Sequence, residues 1–280
     1  MRHVLQGVDH PVSNDPKRWN VVRSSPSDEL VLAVDWPSAG NRGPQFEYLA
    51  SLLGDRYIVW RTSAGSGHTT WEATAEAYAG PWVQEVCDSS LKVRAVLAYG
   101  VGGTLAAVMS EMVEQRQGDA PRLLLIDPEL VDADLIYQEF LALLPDGPLP
   151  VTAEKEVQRL RERGGELAAE SGGDPAPLAA QLYALLASAD GLGAEGRTTA
   201  RAEARLATLA LAERTDVTRI WGKGTALSSS SSKRGLSRTR ASLLLPEAEL
   251  VGRELNFAVD HSEIFKDETV ARTVSELISA

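Results

Sequence analysis

Ala95-Val96-Leu97-Ala98-Tyr99-Gly100-Val101-Gly102-Gly103 is the stretch on which the reading of this chain turns. A continuous apolar run, with no polar residue alternating through it, is the pattern of a strand covered on both faces. It passes directly into a glycine-rich turn. Behind the turn Leu105, Ala106, Val108, Met109, Met112 and Val113 mark a mostly apolar helix. The same alternation extends outward in both directions. Residues 29–36 (Glu-Leu-Val-Leu-Ala-Val-Asp-Trp) form another buried run that stops at Pro37-Ser38-Ala39-Gly40. Phe46, Leu49, Leu52 and Leu53 then recur at helical spacing up to Gly54. Tyr57 to Trp60 reads as a strand, residues 71–87 as a long amphipathic helix, and Leu123 to Ile126 as a strand ending at Asp127-Pro128. Strands of this kind alternating with helices predict an α/β fold: a mostly parallel sheet with helices on both faces.

Residues 151–216 break the rhythm. They are rich in Ala, Leu, Arg and Glu, carry helical patterns near 153–170, 176–189 and 198–214, and contain no strand-like run. They read as a helical insertion within one domain, because each amphipathic stripe needs another surface to cover it. The alternation resumes with Val217 to Trp221 as a strand, followed by a serine run, Ser228 to Ser232, expected to be a mobile surface loop. Glu249 to Val251 and Leu255 to Val259 supply a last strand region before Asp260-His261-Ser262 and a closing helix over 267–279.

Composition excludes several classes of function. At 280 residues with 44% hydrophobic and 24% charged residues, the chain can bury a core without disulfides or metals. A formal net charge of −11 opposes nucleic acid and anionic membrane surfaces as partners. Cys87 is the sole cysteine, which rules out an internal disulfide and a cysteine-based metal cluster. No apolar window approaches the ~18 residues of a membrane span, and the N-terminus lacks a signal-peptide pattern, so a cytoplasmic protein is expected. No His/Asp/Glu spacing suits a metal ligand set. Gly100-x-Gly102-Gly103 lacks the spacing of a dinucleotide loop, so no cofactor is expected.

Catalytic groups of open parallel sheets gather at the carboxyl ends of the strands. Here those ends present Tyr99-Gly100-Val101, Asp127 and Asp260-His261, in the order sharp turn, acid, histidine. On these residues the chain resembles the thioesterases of the α/β-hydrolase family that act on polyketide and nonribosomal peptide assembly lines, over nearly its whole length. The resemblance implies an α/β-hydrolase fold with 148–216 as a helical lid. It implies oxyanion-hole N–H groups at Ala39 and Val101, and His261 as a general base oriented by Asp127. Trp36, Ser38, Tyr99 and Ser262 are candidate substrate contacts in the same cleft.

The family's elbow reads Gly-x-Ser-x-Gly-Gly, and this chain departs from it at Ala98 and at Gly100, where the nucleophilic serine would stand. Glycine has no oxygen to acylate. The expected activity is therefore acid/base chemistry on an acyl or peptidyl substrate without a covalent intermediate: epimerisation, isomerisation, cyclisation or elimination. A weak hydrolase using water, and a binder of an acyl or peptidyl intermediate, are the alternatives. Between Arg219 and Pro246 the chain carries six basic residues and no acidic one, a patch that could dock an acidic carrier protein or equally be a solvated loop.

Overall fold

The computed structural model describes residues 16–35, 45–63, 70–145, 150–189, 197–213, 215–216, 218–244 and 249–280. Seven strands form one sheet: β1 (Trp19–Arg23), β2 (Glu29–Val34), β3 (Ile58–Thr62), β4 (Lys92–Tyr99), β5 (Arg122–Ile126), β6 (Thr225–Ser228) and β7 (Arg253–Asn256). The helices in chain order are α1 (Gln45–Leu52), α2 (Ala75–Asp88), α3 (Gly102–Gln117), α4 (Ala133–Leu143), α5 (Val151–Glu170), α6 (Pro175–Ala187), α7 (Arg197–Glu213), α8 (Thr218–Trp221), α9 (Gly235–Ser242) and α10 (Glu268–Ser279). A 3-10 turn spans His261–Lys266.

The sheet order is β1-β3-β2-β4-β5-β6-β7, with β1 antiparallel to β3 and every other pair parallel. The chain leaves β2 for β3 on one side and returns to lay β4 on the other, so the strand order reverses between β2 and β4. A crevice opens at the carboxyl ends of strands at such a reversal. The register aligns those ends: Val34 with Ala98, Tyr99 with Ile126, and Ile126 with Leu227.

Burial on both faces explains the continuous apolar runs. Val96 and Ala98 of β4 join the core shared with α2, α3 and the helices beyond β5, whereas Ala95 and Leu97 join the core under α1 and α10. Three helices, α5, α6 and α7, occupy the stretch between α4 and α8, and no strand interrupts them among the described residues. Helix α4 escaped the sequence reading, although Asp132 caps it by accepting from the Leu135 N–H at 2.8 Å.

Two expectations fail between 217 and 232. Thr218–Trp221 is a helix, not a strand, and the strand lies downstream at Thr225–Ser228. The apolar run is there for packing: Trp221 is fully buried and its Nε1–H donates to the Gly103 carbonyl at 3.1 Å. A Cβ at Gly103 would sit 3.1 Å from Trp221 Cζ2, so glycine lets α3 close onto this indole. The serine run, expected as a mobile loop, begins inside β6 with Ser228 and Ser229 both buried. The last strand is shorter than expected, but pairing continues beyond it, with Phe257 N–H donating to Ser228 O (2.8 Å) and Ser230 N–H to Val259 O (2.9 Å). Those bonds carry the chain to His261 over the ends of the central strands.

Candidate functional site

At the end of β4 the chain turns through Gly100, at φ +53°, a left-handed conformation that costs a side-chain-bearing residue about 1–2 kcal/mol. Its N–H donates to Ile126 O at 3.0 Å, and its carbonyl accepts from Gly103 N–H (3.1 Å) and Glu129 N–H (3.2 Å). Among the described residues, main-chain hydrogen bonds hold the turn. A Cβ placed on Gly100 meets no atom of the described residues within 4 Å. Val101 follows as the N-cap of α3, where the helix dipole favours developing negative charge.

Asp127 ends β5 at φ +43° and is 1% exposed. One carboxylate oxygen accepts the Ser229 N–H at 2.6 Å, and the other faces His261 Nδ1 at 2.9 Å. Space for this carboxylate depends on Gly235, whose Cβ, if present, would lie 2.8 Å from Asp127 Oδ1. A carboxylate only accepts hydrogen bonds, so His261 Nδ1 carries the proton and Nε2 is left as an acceptor. The hydroxyl of Tyr99 occupies it, at 2.5 Å. The two rings are stacked, centroids 4.8 Å apart at 26°, and the Tyr99 ring meets Phe265 edge-on at 4.9 Å. Burial, then the charges of Asp127 and Glu129, push the Tyr99 phenol well above its ordinary range against the opposing pull of Arg234. The phenol therefore stays protonated and donates.

Among the sequence-predicted residues, Asp127, His261, Tyr99, Gly100 and Val101 come together at this end of the sheet. Ser262 is exposed on the 3-10 turn, outside the hydrogen-bonded chain. Trp36, Ser38 and Ala39 lie outside the described residues. Three contributors were missed. Ser229 and Gly235 act through a main-chain N–H and an absent side chain, which leave no pattern in a sequence. Glu129, 3% exposed, accepts the Gly235 N–H at 2.9 Å, and its place two residues after Asp127 was the available signal.

A second carboxyl group ends the neighbouring strand β2. Asp35 is raised to about 6, chiefly by burial and further by Glu47, with Arg61 opposing. Its folded value lies above its ordinary 3.8, so the folded state binds the proton more tightly and stability falls as pH rises from about 4 to 6. Asp35→Asn removes that penalty. It is expected to raise the melting temperature at pH 7 by a few degrees, about 2 kcal/mol, and to change it little at pH 4.

The basic segment is matched from within. Arg219 pairs with Glu111 (2.6 Å), Lys223 with Glu114 (3.6 Å), Arg234 with Glu129 (3.7 Å), Arg238 with Asp132 (2.7 Å) and Arg240 with Glu254 (2.6 Å). Five of the six cations expected to form a docking patch thus face acids of this same chain. No helix among the described residues is long and apolar enough to cross a membrane.

The strand order, the turn at Gly100 after β4, the acid after β5 and the histidine after β7 define an α/β-hydrolase fold. No protein-family model matches the chain, and no curated protein matches it by sequence. Among solved structures it is similar to the NocB thioesterase domain from the nocardicin cluster, at 17% identity and a TM-score of 0.50 over 90% of this chain and 95% of that one. The Vlm2 thioesterase domain bound with a dodecadepsipeptide matches at 14% identity and 0.49, over 92% and 96%. The enol-lactonase from Burkholderia xenovorans LB400 matches at 16% and 0.49, over 92% and 93%. At these identities the likeness is one of fold.

Proposed function

We propose that the chain is a thioesterase-like enzyme of secondary-metabolite biosynthesis that moves a proton next to the carbonyl of an acyl or peptidyl substrate, without a covalent intermediate. The observation that carries this reading is the buried Asp127 carboxylate on His261 Nδ1 at 2.9 Å, beside a turn residue, Gly100, that has no side-chain oxygen. An oriented imidazole is a base suited to neutral pH. Gly100 stands in this reading where related enzymes place serine, and the Val101 N–H is an oxyanion donor for the substrate carbonyl. Removing a proton from the α-carbon then gives an enolate, from which epimerisation, isomerisation, cyclisation or elimination follows. Helices α5 to α7 serve as a lid. The fold likeness to the NocB thioesterase domain supports an acyl or peptidyl thioester as the substrate class.

The test uses N-acetylcysteamine thioesters of fatty acyl groups and of N-acylated amino acids in deuterated buffer, with α-proton exchange followed by mass spectrometry and NMR. The unaltered protein is expected to exchange at least one of them, and His261→Ala to reduce that rate by about 10²–10⁴-fold while retaining the fold. Exchange that survives this substitution overturns the reading.

A further inference from the structure

Neither ring nitrogen of His261 is open to a substrate. Nδ1 is held by Asp127 at 2.9 Å and Nε2 by the Tyr99 hydroxyl at 2.5 Å. A proton leaving a substrate can reach the imidazole only by displacing the phenol or by passing through it. Displacement is opposed by three contacts at once: the hydrogen bond, the stacked imidazole, and the edge of Phe265, which is itself fixed edge-on against Phe46 at 5.0 Å. Tyr99 Oη also lies 3.4 Å from the His261 carbonyl, a longer contact on the same side. The residue after Tyr99 is Gly100, where a side chain would meet none of the described residues within 4 Å.

We propose that Tyr99 is the catalytic residue that exchanges protons with the substrate, its hydroxyl relaying them to and from His261 Nε2, with His261 and Asp127 as the reservoir behind it. This rests on the proton-transfer reading above and assigns its contact with the substrate. In the forward step the α-carbon proton passes to Tyr99 Oη as the phenolic proton passes to His261 Nε2. The C–H electron pair moves into the bond between the α-carbon and the carbonyl, giving an enolate on the substrate and an imidazolium beside Asp127. In the return step Nε2 gives its proton back to Oη as the phenol protonates the substrate carbon or a leaving group. The phenol accepts one proton as it releases another, so it never has to exist as a free phenolate. This agrees with an environment that disfavours phenolate, through burial and the neighbouring Asp127 and Glu129 charges.

The test is Tyr99→Phe in the α-proton exchange assay with the same thioesters, beside His261→Ala, together with a fluorophosphonate probe and peptide mapping. The phenylalanine keeps the ring contacts, so melting within a few degrees of the unaltered protein is expected. Exchange is expected to lose about 100-fold or more in kcat with KM little changed, since only the transferring atom is gone. Incorporating a fluorotyrosine at 99 preserves the hydrogen bond and should alter kcat without altering the melting temperature. Exchange by Tyr99→Phe equal to or faster than the unaltered protein overturns the relay and leaves the proton-transfer reading standing. A fluorophosphonate adduct on Tyr99 overturns it in favour of a phenol nucleophile. Absence of exchange by the unaltered protein on every thioester overturns the reading itself, and the relay with it.

Discussion

Gly100→Ser is expected to turn the protein into one that a fluorophosphonate labels at residue 100 and to raise p-nitrophenyl ester and thioester cleavage by about 100-fold or more. In the proposed reading the turn at Gly100 stands where a nucleophile elbow would be, without its atom. The main chain turns at φ +53°, a built Cβ meets nothing among the described residues within 4 Å, and the N-cap of α3 follows one residue later. Backbone strain from the added Cβ costs about 1–2 kcal/mol, which should lower the melting temperature modestly. Tyr99 competes with the new hydroxyl for His261 Nε2. The double variant Gly100→Ser with Tyr99→Phe should therefore hydrolyse faster than the single one, and adding His261→Ala should return cleavage to the starting level. A serine at 100 that is neither labelled nor active would mean that Gly100 does not stand in the nucleophile's place.

Asp127→Asn should be the most damaging conservative change in the site. The carboxamide can still accept the Ser229 N–H with its oxygen, so the fold and position are retained. Its NH2 then faces His261 Nδ1, which must become the acceptor, and the imidazole proton moves to Nε2. The hydrogen bond to Tyr99 reverses direction and the ring can no longer take a proton there. By analogy with triads whose acid is made neutral, α-proton exchange should fall about 10³–10⁴-fold. Nitrogen NMR of His261 would report the tautomer directly. An unchanged tautomer, or exchange within a few-fold of the original, would contradict the orienting role of Asp127.

What could be read in the sequence followed from how many faces of an element are buried. Strands β2, β4 and β5 sit in the middle of the sheet, and helices cover both their faces, so they announce themselves as unbroken apolar runs. Strands β1 and β7 lie at the edges and β6 is four residues long, so Trp19–Arg23, Arg253–Asn256 and Thr225–Ser228 carry little of that pattern. Ile220-Trp221 carries it strongly for another reason, since it fills the space under Gly103. Asp127 and His261 were legible because strand ends are where such groups collect. The contact between Tyr99 and His261 was not. It joins residues 162 positions apart and depends on the parallel register that brings the turn after β7 over the end of β4. Nor could charge be judged from one segment, because the acids that match Arg219 to Arg240 come from α3, the segment leading from β5 into α4, and β7.

The link between Asp127 and Ser229 runs through an amide N–H, a group that every residue except proline possesses. Nothing in that hydrogen bond selects serine. That bond holds the path of the backbone at 229, while the hydroxyls of Ser228, Ser229 and Ser230 are tied separately, to Glu254, the Ser231 N–H and the Val259 carbonyl. In a mutational scan of position 229, small residues that keep the N–H are expected to be tolerated at this buried position and proline to be the most damaging substitution, because it alone removes the donor that fixes Asp127.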